Sequence, residues 1–299
     1  MLKKVPIQNI GDPYVLKYQG QYYLYATTDF DGFYVWSSWN LNTWSAPMVC
    51  YRKTSACFGE QRFWAPEVYE WDEKFYMYYT ADWKITNEEN LRIGVAVSDK
   101  PTGPFADVYD TPMFDAGFPV LDAHVLKDGE QDYLLFSRAG ECNIVNGAKE
   151  ADIYLLKLNP DHVSVSGEAI LLITPEEQYE KQNHDMNQYW VEGPFVVKNS
   201  GRYHLMYSAN YYGSSAYCIC CAVSDSPEGP YAKYIDNPII ESSKAISGPG
   251  HNSVVEALDG KGSVCVFHVH SDAQYPGSDR QVCLAPLEFK NGLIRKILL

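Results

Sequence analysis

Three carboxylic acids and a histidine each stand at the mouth of an apolar, strand-like run. Asp12 opens "DPYVLKYQGQYYLYAT", Asp122 opens "DAHVLKDGEQDYLLFS", Glu192 opens "EGPFVVKNSGRYHLMYS" and His251 opens "HNSVVEALDGKGSVCVFH". Carboxyl groups held apart at one opening can divide acid and base work, one protonated to assist a leaving oxygen and another ionised to deprotonate water. Singly, each has a plainer role. Asp12 before Pro13 can cap a turn, Asp122 can anchor neighbouring backbone N–H groups, and Glu192 before Gly193-Pro194 can be a turn acid. The setting "YWVEGPFVV" is too apolar for a freely solvated Glu192. Recurrence decides between the readings.

A fifth copy, "APEVYEWDEKFYMYYT", begins at Ala65. Every copy is a short apolar segment, a polar turn and a second segment dense in Tyr, Phe, Leu, Met or Val, which is a hairpin signature. Successive starts lie roughly 53 to 70 residues apart, too far for a single hairpin and right for a four-stranded propeller blade. A second repeat, "AVSDKPTGPF" (96–105) and "AVSDSPEGPY" (222–231), supports this, and "VWSSWNLNTWSAP" (35–47) takes the comparable place in the first copy. These read as outer hairpins, where chain reversals collect Gly, Pro and Asp. The expectation is an all-β chain, residues 1–299 forming a single five-bladed β-propeller with four-stranded antiparallel blades. The innermost strands of a propeller run along its axis, so Asp12, Ala65, Asp122, Glu192 and His251 should ring one opening. Like charges packed around a funnel are costly unless protonation or function compensates.

A chain of 299 residues with 46% hydrophobic and 14% aromatic content can bury a large core, and no linker or low-complexity tract divides it. Residues 174–188 are the best polar helix candidate and read more naturally as a loop. A net charge of −14 excludes nucleic acid and anionic membrane as partners, both of which need concentrated Lys and Arg. A neutral oligosaccharide is easier to accept. The start "MLKKVPIQNIGDP" has no signal-type apolar stretch and nothing in the chain is long enough to span a membrane, which suggests the cytoplasm, or a secreted or periplasmic protein if a leader has been removed. The eight cysteines lack zinc or disulfide-scaffold spacing, and "CICC" at 218–221 reads as buried reduced thiols.

The ordered elements "GDPYV", "FWAPEV", "LDAHV", "WVEGPFV" and "GPGHNSVV" resemble glycoside hydrolase family 43 across essentially the whole chain. That resemblance implies a five-bladed propeller that hydrolyses arabinosides, xylosides and some galactosides with inversion. It implies Asp12 as the general base, Glu192 as the general acid and Asp122 as the residue that orients the acid and tunes its proton affinity. Ala123 stands where the family often has proline, which leaves the role of Asp122 untouched. Arg280 in "SDRQVCLAPLEF" is similar to the family's final-blade arginine, which contacts the sugar and the carboxylates. The counterpart of His251 commonly lies in the central channel near a water or a calcium ion. Calcium prefers oxygen ligands, so His251 would act through water. No cofactor is needed for the hydrolysis itself; a structural calcium ion in the channel is the one group implied.

Trp64, and less firmly Trp83, is expected at the mouth of the second blade, where an indole packs on a sugar face. Phe58 is a further rim candidate. The activity implied is inverting, exo-acting removal of a terminal pentose, foremost α-L-arabinofuranose, with β-D-xylosidase or galactan-directed action as alternatives set by loops 143–149 and 178–188. A retaining fructosidase fits less well, because such enzymes usually carry Glu-Cys where this chain has Glu192-Gly193. A non-catalytic carbohydrate-binding propeller is the alternative of another class; it would have no use for a separated acid and base.

Overall fold

Alternating Tyr, Val, Leu and Phe favour a pleated, half-buried backbone, and the regular secondary structure of the described residues is almost wholly strand. The computed structural model describes residues 2–298 apart from 29, 85–89, 184–185 and 278. Four strands form unit I: Gly11–Tyr18, Gln21–Thr27, Gly32–Ser38 and Met48–Arg52. Unit II is Trp64–Trp71, Lys74–Asp82, Leu91–Ser98 and Ala106–Asp107. Unit III is Val120–Leu126, Asp132–Arg138, Ala148–Leu158 and Val165–Ile173, paired antiparallel in that order. Unit IV is Gln188–Asn199, Arg202–Ala209, Cys218–Ser224 and Ala232–Lys233. A short parallel register, Lys149–Ala151 against Gln188–Trp190, fuses units III and IV into one larger sheet.

Unit V closes the chain on itself. Its first three strands, Gly250–Glu256, Ser263–His270 and Arg280–Leu287, are completed by the N-terminal strand Lys3–Gln8. The five first strands touch in sequence, I against II, II against III, III against IV, IV against V and V against I. The repeated decapeptides lie at the ends of the third strands of units II and IV and lead into two-residue fourth strands, as outer hairpins should. Most of the tyrosines serve the core: Tyr22, Tyr25, Tyr78, Tyr79 and Tyr207 are fully buried. The 174–188 segment departs from a plain loop by one 3-10 turn, Gln178–Glu180. That turn is pinned because fully buried Glu180 accepts from Tyr207 Oη at 2.7 Å and pairs with Lys233 at 2.7 Å. His184 and Asp185 of the 178–188 loop lie outside the described residues.

One irregularity recurs in every unit. Pairing of the first strand with the second slips between Gly11 and Tyr14, Trp64 and Glu67, Leu121 and His124, Glu192 and Phe195, and Gly250 and Ser253. The bulged residues Asp12, Ala65, Asp122, Gly193 and His251 all take left-handed φ values, from 43° at His251 to 59° at Gly193. A non-glycine residue is strained there, and its N–H is turned out of the ladder. A side chain from the preceding unit satisfies that N–H in each case: Thr27 for Ala65 (2.8 Å), Thr80 for Asp122 (3.1 Å), Ser137 for Gly193 (3.2 Å), Ser208 for His251 (2.7 Å) and His268 for Asp12 (3.1 Å). The polar residue that ends each quoted hairpin copy is therefore a staple between units.

The bulges correct one expectation. The residue of unit IV equivalent to Asp12, Ala65, Asp122 and His251 is Gly193; Glu192 stands one residue earlier, level with Gly11, Trp64, Leu121 and Gly250. Replacing Thr80 by Val keeps the shape and removes the acceptor for a buried N–H. It is expected to lower unfolding stability by about 1 to 3 kcal/mol, read as a lower urea midpoint at unchanged slope; an unchanged midpoint would contradict the stapling role.

Candidate active site

The mouths of the first strands converge on a cavity of about 570 Å³ lined by Asp12, Trp64, Asp122, Glu192, His251 and Arg280. All six predicted site residues are thus brought together. Trp83 and Phe58 are not in the lining. Phe58 is buried and stacks on Tyr79 with ring centres 5.7 Å apart, so it serves the core.

Asp12 is gripped on both oxygens. Its Oδ1 lies 3.1 Å from Arg280 Nη1 and 3.2 Å from His251 Nδ1, while Oδ2 accepts from Thr27 Oγ1 at 2.6 Å. Burial opposes ionisation, but Arg280, His251 and His268 together with the Thr27 hydrogen bond outweigh it and hold the carboxyl well below the usual range. Asp12 is therefore a carboxylate at any working pH. His268 Nδ1 accepts the Asp12 N–H, and burial, then Arg280, push this imidazole well below its usual range. The neutral ring then carries its proton on Nε2. The approach of Arg280 Nη1 to that nitrogen at 3.5 Å thus brings two donors together and adds no hydrogen bond.

Asp122 behaves in the opposite way. Burial first, then the charges of Glu192 and Asp12, push its carboxyl up to about 7 against the pull of His251 and the Gly193 N–H. Its Oδ2 accepts that N–H at 3.2 Å, touching the peptide that joins Glu192 to Gly193. Glu192 is itself buried and accepts from Tyr217 Oη at 2.8 Å on Oε1. The cavity thus contains one carboxylate held ionised and, elsewhere on its wall, an acid whose proton affinity is raised by burial and by the charges of its neighbours.

Two glycines make this packing possible. A Cβ on Gly11 would lie 2.0 Å from Arg280 Nη2, and one on Gly250 would lie 1.9 Å from the Tyr217 ring. Arg280 and Tyr217, which hold Asp12 and Glu192, occupy the space where those side chains would be. Arg280 also rests on Tyr212, its guanidinium 5.2 Å from the ring centre. Trp64 is held by Arg62, 5.6 Å from its ring, and Arg62 is anchored in turn by Asp82 at 2.6 Å. Thr27, His268, Tyr212 and Tyr217 were not singled out from the sequence, although Thr27 and His268 end the quoted hairpin copies.

Calcium takes about six to eight oxygen ligands. Among the described residues no group of three or more His, Cys, Asp or Glu is placed to hold a metal ion, and the carboxylate beside His251 is already engaged by Arg280 and Thr27. These residues do not form a direct ligand set for the ion.

A sequence profile of glycosyl hydrolases family 43 matches residues 4–294. A beta-D-galactofuranosidase of Aspergillus niger is 28% identical over 86% of this chain and 73% of its own length. Alpha-L-arabinofuranosidase 43 of Humicola insolens is 27% identical over 86% of this chain and 54% of its own length, so the chain spans about three quarters of the first relative and about half of the second. Among solved structures, a thermostable family-43 glycoside hydrolase superposes with a TM-score of 0.91 at 39% identity, covering 98% of this chain and 94% of that one.

The opposed environments of the acids predict a pH dependence. Above about pH 7 the proton held at Asp122 is lost, and a step that needs a proton from this wall of the cavity must fail, so kcat/KM should fall on the alkaline side from near that value. Asp122→Asn removes the neighbouring acid whose ionisation would oppose that of Glu192, and the alkaline limb should move to lower pH. A limb that stays in place in this variant would remove Asp122 from the proton-holding role.

Proposed function

The chain belongs to glycosyl hydrolases family 43, and from that premise we propose an inverting, exo-acting glycosidase that releases a terminal furanose, foremost α-L-arabinofuranose, from oligosaccharides. In this reading the five units are the blades of a β-propeller with the cavity at one end of its axis. The observation that carries it is the single cavity in which Asp12 is held ionised while Glu192 sits buried beside proton-binding Asp122.

The chemistry follows from those states. Asp12 takes a proton from a water as its oxygen bonds to the anomeric carbon. Glu192 gives its proton to the glycosidic oxygen as that bond breaks, and the free alcohol departs. Proton count and charge balance, with Asp12 left protonated and Glu192 left ionised until solvent exchange resets them. Arg280 and His251 fix the base, and Trp64 offers an aromatic face to the sugar. A cavity of about 570 Å³ suits a chain end of one or a few sugar rings, which favours exo action.

Two relatives carry the names galactofuranosidase and arabinofuranosidase, and both sugars are five-membered rings. That shared ring supports a furanoside and makes β-D-galactofuranose the second reading; β-D-xylosides, the six-membered alternative, belong in the same test. Incubation with nitrophenyl α-L-arabinofuranoside, β-D-galactofuranoside and β-D-xylopyranoside should give the fastest release from the first. Binding without turnover on all three and on natural oligosaccharides would instead indicate a carbohydrate-binding module.

Inversion demands carboxyl groups roughly 6.5 to 9.5 Å apart and a first-formed sugar of opposite anomeric configuration. Proton NMR before mutarotation should show that product, and a retained configuration would contradict the roles given. Glu192→Gln should slow natural oligosaccharides about a hundredfold or more while sparing activated nitrophenyl substrates, whose leaving groups need little proton assistance. Equal losses on both substrate types would dismiss Glu192 as the acid.

A further inference from the structure

Thr27 differs from the other hydroxyl staples in having a second partner. Its Oγ1 accepts the Ala65 N–H at 2.8 Å and lies 2.6 Å from Asp12 Oδ2. A backbone N–H can only donate, so the Ala65 bond occupies a lone pair of the hydroxyl and leaves the Thr27 proton for Asp12 Oδ2, its acceptor among the described residues. We propose that Thr27 is a positioning residue for the base: the bond that staples unit II to unit I orients the hydroxyl, and the hydroxyl fixes which oxygen of Asp12 meets the attacking water.

The contacts of Asp12 identify that oxygen. Oδ1 faces Arg280 Nη1 and His251 Nδ1 at 3.1 and 3.2 Å, two donors for its two lone-pair directions. Oδ2 faces Thr27, whose single proton leaves one direction open. The Asp12 side chain keeps 14% of its surface exposed, and the cavity is the solvent that it meets. The water proton therefore goes to Oδ2 while Arg280 and His251 stay on Oδ1. The titratable and charged groups around this carboxylate are Arg280 and His268 from unit V, His251 from the same unit's first strand, and Asp122 and Tyr217 across the cavity. Thr27 is the uncharged donor among them, so removing it alters direction without removing a charge.

This inference rests on Asp12 being the base of the proposed reaction, and two readouts separate its failure from the failure of that reading. The first is kinetic. Thr27→Val keeps the shape of the side chain and should lower kcat roughly ten- to a hundredfold with KM little changed, and Thr27→Ser, which keeps the hydroxyl, should restore most of the loss. Equal kcat in Val and Ser variants would overturn the proposal.

The second readout needs no turnover. The 13C resonance of the Asp12 carboxyl at neutral pH, assigned with Asp12→Asn, should move in Thr27→Val and return toward the wild-type position in Thr27→Ser; coincident resonances in all three proteins would overturn the proposal. A wild type that cleaves no glycoside would defeat the proposed function while leaving this resonance to decide on Thr27. Should Thr27→Val not fold, the buried hydroxyl proton of Thr27 in the otherwise native protein serves instead. It should resonate well downfield and move upfield in Asp12→Asn, and a proton that does not move would exclude the bond to Asp12.

Discussion

Every unit of this protein must accommodate a backbone N–H that its own sheet cannot use. The bulge near the start of each first strand forces a left-handed residue and points its N–H away from the ladder. Left unmet in a buried setting, each such group would cost about 1 to 3 kcal/mol. A hydroxyl, or in unit V a histidine, from the preceding unit meets it. The same bulge breaks strict in-and-out alternation, so side chains of adjacent residues reach the same cavity. Leu121 and Asp122 do so. Joining of units and placement of acids are thus consequences of one backbone feature.

The electrostatics follow from where the staples put the charges. Unit V contributes Arg280, His251 and His268, and all three lie around Asp12. Units III and IV contribute Asp122 and Glu192 with Tyr217, and His251 is the group whose charge pulls Asp122 down. Burial and neighbouring negative charge make Asp122 bind its proton more tightly, while the Arg280 guanidinium beside Asp12 favours release of its proton. A hydrolytic site that needs both states at one pH obtains them from the side of the ring on which each acid stands. Gly11 and Gly250 are as necessary as the charged groups, because each vacates the space that Arg280 or Tyr217 fills.

Much of this was legible in the sequence. Five hairpin copies gave the strand pairs, and the acids at their mouths do share a cavity with Trp64, His251 and Arg280. Glu192 was set in register with Asp12, whereas the bulge places Gly193 there. A simple two-residue period cannot show a bulge, although glycine at that point was its signal. Thr27, Thr80, Ser137, Ser208 and His268 all ended the repeated segments, but a short polar residue at a strand end ordinarily marks a turn, and only the contact between successive units shows what it does. Tyr217 was hidden among tyrosines that mostly pack the core; it stands just before the third strand of the unit whose first strand carries Glu192, and no local pattern relates the two.

The division of labour between base and acid depends above all on the location of one proton. Neutron diffraction from a deuterium-exchanged crystal at pH 6, below the value of about 7 for Asp122, would show it directly. The expected nuclear density has no deuterium on Asp12, one on the carboxyl pair of Asp122 and Glu192, and the Thr27 deuteroxyl directed at Asp12 Oδ2. Deuterium on Asp12, or none on either member of the pair, would contradict the division into base and acid.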